Sequence, residues 1–319
     1  MIKQFRNIWV LGGTGFIGSA LVKLLSRDKA NRLHLLVHKR APWRLLEGFS
    51  TFTGTLSGIE PGWFERYPPD IVYHLARPAG SNAVTRKLRS AAGERANRRL
   101  VKILRGLPGP PVVVYVSGSL MYGDRLDNDP AFENAPLNPE SFARYYYRNE
   151  LPWIEVQGEG SLDVRFARPG WIAGPGSWFM EFFYKPWQRT GKVPCYGEGM
   201  QHMSLTCLDD CAAMINALGQ YGSRGSNLNI FSGDIITQLD FSNTLARLLN
   251  AETEMIPEDH LRRNYGKVTA AALLSSSPMG TLYPELHRRA GIIYRGPEQL
   301  LVPVVRLSEN KQGVFPGLP

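Results

Sequence analysis

The stretch Ile8-Trp9-Val10-Leu11-Gly12-Gly13-Thr14-Gly15-Phe16-Ile17-Gly18 leaves few ways for this chain to fold. Its apolar half reads as a buried strand that breaks into glycines and passes at once into the helical pattern Ser19-Ala20-Leu21-Val22-Lys23-Leu24-Leu25. Strand, tight turn and helix in that order aim the free N–H groups and partial positive charge of a helix N-terminus at the end of a strand, where a pyrophosphate can be held. In such a turn Gly12 permits the reversal, Gly15 lets backbone approach the phosphates, and Gly18 lets the helix pack on the strand. An ordinary glycine turn would share the spacing. The preceding strand, the strand that follows and the N-terminal position favour the nucleotide reading.

Strand and helix patterns then alternate. Arg32–Val37 reads as a second strand, Phe49–Thr53 as a third, Asp70–Ala76 as a fourth, Val112–Val116 as a fifth and Leu162–Ala167 as a sixth, with a helix predicted from Ser141 to Val156. This alternation predicts an α/β fold, a doubly wound parallel sheet with helices on both faces. Beyond Gly174 prolines and aromatics accumulate. The expected division is a dinucleotide-binding domain over 1–173 and a smaller C-terminal substrate lobe over 174–319, with a segment near 201–235 returning to the first domain.

Composition narrows the setting. With 43% hydrophobic and 20% charged residues, the 319-residue chain reads as a globular protein. No apolar run approaches the roughly 18 residues of a membrane span, and the N-terminal apolar run enters the glycine turn directly, unlike a cleavable signal. Three cysteines make no disulfide framework, so a cytoplasmic protein is expected, with no membrane partner. The net charge of +9 concentrates between positions 86 and 105, where eight basic side chains face the single Glu94. Leu88, Ala92, Ala96, Leu100, Ile103 and Leu107 give that segment a helical apolar stripe. Its basic face reads as solvated surface, or as attraction for an anionic or carrier-bound substrate. No aromatics interleave with the charges, which argues against nucleic acid.

The wording Gly-Gly-Thr-Gly-Phe-Ile-Gly resembles the extended short-chain dehydrogenase/reductase family, which includes nucleotide-sugar epimerases and dehydratases. The resemblance runs from about residue 7 to about residue 250 and implies a Rossmann fold and a nicotinamide cofactor. It implies cofactor contacts from Gly12, Thr14, Gly15, Phe16, Ile17 and Gly18. At the end of the second strand an acidic residue about 20 positions past the glycines would hold an NAD ribose. His38, Lys39 and Arg40 stand there instead, so NADP(H) is favoured over NAD(H). Thr55 matches the position of an adenine-contacting Asp, with Leu56 beside it for backbone contact. Leu75 and Ala76 resemble the segment under the phosphates, Asn97 the asparagine before the fifth strand, and Arg168-Pro169-Gly170 the Arg-Pro segment beside the nicotinamide.

The resemblance also implies chemistry that this chain alters. Family members place a Ser or Thr in the turn after the fifth strand, where counting back four from Tyr122 gives Gly118; Ser117 and Ser119 flank it. The family's Tyr-x-x-x-Lys pair is broken too, since none of Tyr145, Tyr146 and Tyr147 has a lysine four residues on. Tyr145 is the leading proton donor in this reading, with Arg148 supplying part of the missing field from about the same helix face. Reducing a carbonyl needs only a protonated tyrosine, so reduction survives the loss better than dehydration or epimerisation, which begin by oxidation.

Met203 stands where sugar-nucleotide enzymes place an arginine for the diphosphate, and Trp171, Trp178, Phe179, Phe182, Phe183, Tyr184 and Trp187 cluster nearby. They suit an apolar or aromatic small-molecule substrate, with Trp171, Trp178 and Met203 as its contacts, or else form the lobe's core or a homodimer contact. His202, Cys207 and Cys211 match no closed zinc set, so no metal is expected. The reading is an NADP(H)-dependent oxidoreductase with a degenerate Ser/Tyr/Lys set; the alternative is a silent NADP(H)-binding scaffold or redox sensor.

Overall fold

The alternation of apolar residues in the first strand decides how the layers assemble. In the computed structural model, which describes residues 5–38, 46–77, 83–125, 127–139 and 143–310, β1 (Arg6–Leu11) sends Ile8 and Val10 into one core and Trp9 and Leu11 into another. A strand that is apolar on both faces must be covered on both, as in a parallel sheet with helices above and below. Its neighbours are β2 (Asn31–Val37), β3 (Ser50–Thr53), β4 (Ile71–His74), β5 (Val112–Val116), β6 (Asp163–Pro169) and β10 (Asn227–Ile230). They form a seven-stranded parallel sheet in the order β10-β6-β5-β4-β1-β2-β3.

One face is covered by α1 (Phe16–Leu25), through Leu21, Val22 and Leu25, and by α6 (Leu208–Tyr221), through Cys211, Met214 and Leu218. The short α2 (Pro61–Arg66) buries Phe64 on the other face. There α3 (Ala83–Arg105) and α4 (Ala143–Gly158) set Leu100, Leu104, Trp153 and Val156 against Trp9 and Phe166. Each fully buried large apolar side chain contributes about 1.5–3 kcal/mol. The stripe predicted on α3 is shorter than expected. Leu88 is 66% exposed and Ala92 is exposed, whereas Ser90, Ala96, Asn97, Leu100, Val101 and Leu104 are buried, with Ser90 Oγ donating to the Tyr145 carbonyl of α4.

After Pro169 the chain leaves the sheet. β7 (Trp171–Ala173), β9 (His202–Cys207) and β11 (Ile235–Thr237) make a three-stranded sheet, and β8 (Lys192–Tyr196) pairs with β12 (Glu252–Ile256). Around them lie α5 (Lys185–Thr190), α7 (Gln238–Leu248), α8 (Glu258–Leu274) and α10 (Pro297–Asn310), enclosing a core of Phe179, Phe183, Phe241, Leu245, Leu261 and Leu301. α8 bends at Gly266, whose φ of 78° is left-handed backbone that glycine adopts without strain. Between the two visits to the lobe, α6 and β10 rejoin the large sheet, and α9 (Pro284–Arg289) packs on α6. Among the described residues no helix is long and apolar enough to cross a membrane.

Candidate active site

In a doubly wound sheet ligands collect outside the C-terminal ends of the strands, where the strand order reverses. Here β6, β5, β4 and β1 lie side by side, so the segments that follow them converge on one cleft. Gly12 after β1 has φ 92°, and a Cβ there would come within 2.8 Å of the Ala76 nitrogen after β4. A Cβ at Gly18 would overlap the Gly12 carbonyl oxygen, so the helix can approach this closely only with glycine. Gly15 caps α1 with no side-chain hydrogen bond, and the first turn carries no acidic residue. A helix N-terminus left uncovered in this way fits the pyrophosphate of a dinucleotide.

The other residues expected at the cofactor divide by position. Thr14 is half-buried in the turn, Leu75 and Ala76 border it after β4, and exposed His38 follows β2. Lys39 and Arg40 lie outside the described residues. Thr55 is exposed with its hydroxyl 3.0 Å from Ser57 Oγ, and Leu56 opens a short helical turn. Asn97 is only 1% exposed. Its Oδ1 accepts from Trp153 Nε1 at 3.1 Å and from His74 Nε2 at 2.7 Å, which bolts α3 to α4 and β4. Burial holds His74 at a pKa of about 4, so the ring in this bolt is neutral.

A cavity of about 390 Å³ opens beside the glycine turn, against Phe16 and Ile17 of α1. It is lined by Ser117, Gly118 and Ser119 after β5, by Pro169 at the end of β6 with Gly170 after it, and by Trp171, Trp178, Phe182 and Leu273. The aromatic cluster of the sequence therefore splits. Phe179, Phe183 and Tyr184 are core, while Trp171, Trp178 and Phe182 face the cavity. Trp171 is fixed by an Nε1 hydrogen bond to Ser277 Oγ at 2.9 Å. A second cavity of about 220 Å³ shares Leu120, Ala143 and Ala272 with the first and adds Asp124, Glu258 and Arg262.

The tyrosine on the cavity wall is Tyr146. Tyr145 is not among the cavity-lining residues; adjacent helical residues point about 100° apart, and the Tyr145 carbonyl accepts from Ser90 Oγ of α3 at 2.7 Å. Arg148 is exposed and ion-paired to Glu94, so its charge is held at the α3–α4 surface. Met203, expected against the substrate, is 1% exposed within the lobe core. β9 pairs with β11 through it, which turns its side chain inward.

Four residues after Tyr146, where a lysine would activate it, stands Glu150, fully buried. One carboxylate oxygen accepts from Ser117 Oγ at 2.5 Å and the other from Arg168 Nη2 at 2.8 Å. Ser117 thus lines the cavity with its proton directed away into this buried pair. Ser119 is 5% exposed at the start of a short helical turn over Ser119–Tyr122. Arg77, which the sequence reading passed over, also lines the cavity, with its guanidinium carbon 5.2 Å from the centre of the Tyr146 ring.

This arrangement defines a nicotinamide-dinucleotide oxidoreductase fold of the epimerase/dehydratase type. The sequence model of the NAD dependent epimerase/dehydratase family matches residues 8–231, and the chain belongs to that family. No curated protein matches its sequence. Among solved structures it is similar to UDP-glucuronic acid 4-epimerase from Bacillus cereus in complex with UDP-glucuronic acid and NAD, at 16% identity over 95% of this chain and 99% of that one, TM-score 0.76. It is also similar to human epimerase family protein SDR39U1 with NADPH, at 20% identity over 95% and 99%, TM-score 0.72. dTDP-glucose 4,6-dehydratase from Bacillus anthracis in complex with NAD matches at 17% identity over 97% and 98%, TM-score 0.74. At these identities the likeness is one of fold.

Proposed function

We propose that this chain uses NADP(H) in preference to NAD(H) to reduce an apolar or aromatic carbonyl compound, with Tyr146 as the proton donor. The observation that carries the reading is that one cavity joins the N-terminus of α1, the Tyr146 side chain and an aromatic wall. A volume of about 390 Å³ suits a small organic substrate. The preference for NADP(H) is supported by the run His38-Lys39-Arg40 after β2, which offers cations and no carboxylate to a 2′-phosphate.

When bound, the cofactor supplies a hydride to the carbonyl carbon. The glycine turn and the α1 N-terminus would hold its pyrophosphate, and Pro169 and Gly170 line the adjoining cavity. Trp171, Trp178 and Phe182 exclude water and hold the substrate's apolar body, a contribution of proximity and orientation. Tyr146 then donates its phenolic proton to the substrate oxygen, so that carbonyl becomes alcohol, and solvent reprotonates the phenolate. Donation at neutral pH asks only for a protonated phenol, the ordinary state of tyrosine.

Turnover of a panel of aryl ketones and aldehydes, followed by oxidation of NADPH, tests this. Tyr146→Phe is expected to lower kcat by about 10²-fold or more with cofactor affinity retained, while Tyr145→Phe stays within about threefold. Unchanged turnover in Tyr146→Phe removes Tyr146 from the mechanism, and NADH binding as tight as NADPH removes the phosphate preference. The burial of Glu150 in the lysine's place favours a second reading, a cofactor-holding scaffold. That protein would bind NADPH and turn over nothing in the panel.

A further inference from the structure

Carbonyl reduction builds negative charge on the substrate oxygen, and such charge is stabilised by donors fixed in advance. Among the described residues lining the main cavity, Arg77 is the one charged side chain. It follows β4, and its Nη2 donates to the backbone carbonyls that end β5, to Val116 at 3.3 Å and to Ser117. Two neighbouring strands therefore hold the guanidinium, one through the chain and one through hydrogen bonds.

Three further observations bear on what this cation does. Its carbon sits 5.2 Å from the centre of the Tyr146 ring, so proton donor and cation border the same space. A Cβ added at Gly118 would lie 3.8 Å from Arg77 Nη2, an ordinary van der Waals contact, so the guanidinium stands directly beside the position where the family's hydroxyl residue is expected. The buried carboxylate nearby, Glu150, has its two oxygens on Ser117 and Arg168. Besides Nη2, a guanidinium carries three more N–H groups on Nη1 and Nε.

We infer that Arg77 is a catalytic residue whose guanidinium binds the substrate oxygen beside Tyr146 and stabilises the charge that develops there. This rests on the reductase reading of the same cavity. Gly118 and Arg77 then act as one unit: the chain places no side chain at position 118 and brings the guanidinium beside it from the segment after β4. As the hydride arrives at carbon, the C–O π electrons move to oxygen, Arg77 meets the charge, and Tyr146 delivers the proton.

The test uses the full chain and two readouts. Benzoate, whose carboxylate mimics the charged oxygen on an aromatic body, is titrated against wild type and variants by calorimetry without cofactor. Arg77→Met is expected to weaken benzoate at least about 10-fold, with Arg77→Lys recovering part of the loss, because lysine keeps the charge but not the fork. In the aryl carbonyl assay Arg77→Met should lower kcat by about 10²-fold with little change in KM, the pattern of an interaction made in the transition state. Gly118→Ser should restore part of that activity in an Arg77→Ala background, since its hydroxyl would stand beside the place the guanidinium leaves. Benzoate affinity and kcat both within twofold in Arg77→Met would overturn the proposal, as would a loss of NADPH affinity matching the loss of benzoate, which would assign Arg77 to the cofactor phosphates. If benzoate binding depends on Arg77 but the panel is not reduced, the reductase reading fails and the anion site stands. If Tyr146→Phe abolishes turnover that Arg77→Met retains, the reductase reading stands and the role of Arg77 fails.

Discussion

The two ends of the cleft are built from different material. At the end proposed to hold the cofactor, the glycine turn between β1 and α1 works through backbone, and at Gly12 and Gly18 a Cβ would meet backbone atoms, at 2.8 Å for Gly12 and closer still for Gly18. At the end proposed for the chemistry, between the β5 turn and α4, the lining is made by side chains that follow β4 and β5 or stand on α4, and one group can replace another if it reaches the same point. Gly12 and Gly18 have no substitutes within the turn. The positions of a Ser/Tyr/Lys set, by contrast, hold Gly118, Tyr146 and Glu150, with Arg77 entering from another strand.

The largest effect is expected at the rebuilt end. Glu150→Ala strands Arg168, which is 2% exposed and already has Nε and Nη1 without partners among the described residues. Removing one member of a buried ion pair costs about 3–5 kcal/mol, and urea unfolding should show it. A Glu150→Leu/Arg168→Met double variant should recover most of the loss, since apolar replacement of a whole pair is often neutral. Failure of that recovery would mean the carboxylate matters for more than the arginine's charge. At the backbone end, Gly18→Ala forces a methyl into the Gly12 carbonyl. The cost is expected at about 3 kcal/mol, the upper part of the overpacking range, with NADPH affinity falling together with stability. Retained affinity would show that the turn can open without losing its phosphate site.

This contrast explains what could be read in advance. The parallel sheet was legible because apolar runs of strand length alternate with helical stripes, and the glycine turn because its spacing is a backbone requirement. The choice among Tyr145, Tyr146 and Tyr147 was not, since it depends on the rotation of α4 about its axis, which the contact of Ser90 with the Tyr145 carbonyl helps to set. Arg77 was missed because it follows a strand far from the β5 turn in sequence, and only the order β5-β4 brings its guanidinium to Gly118. One signal was present: Glu150 lies four residues after Tyr146, and a carboxylate there suggests that the cation has moved elsewhere.

The His74–Asn97–Trp153 bolt gives the stability of the fold a pH dependence. Burial lowers His74 from 6.5 to about 4, so the folded chain binds the neutral ring while the unfolded chain takes up a proton below 6.5. The stabilisation is complete above 6.5 and is lost as pH falls through the window toward 4. Between pH 7 and pH 5 this one residue should account for about 2 kcal/mol. His34, also lowered to about 4 by burial and by Arg32, adds in the same direction. Urea unfolding of wild type and His74→Gln at both pH values isolates the term, because glutamine can still donate to Asn97 without titrating. An equal pH dependence in the two proteins would mean that His74 ionises without opening the bolt.

The smallest effect is expected at Met203, where the comparison with sugar-nucleotide enzymes is sharpest. If the residue in that place touched substrate, changing it would move KM. In this chain Met203 is 1% exposed within the lobe core, and the cavity wall is made by Trp171, Trp178 and Phe182 instead. Met203→Leu keeps volume and polarity and should cost less than about 1.5 kcal/mol, with KM for an aryl carbonyl within about twofold of wild type. Met203→Arg separates the two roles further. In a core position the buried cation should cost several kcal/mol, whereas a substrate-facing position would accept an exposed arginine with little loss of stability and gain affinity for a nucleoside diphosphate. A stable Met203→Arg protein that binds uridine diphosphate would place residue 203 at the cleft after all.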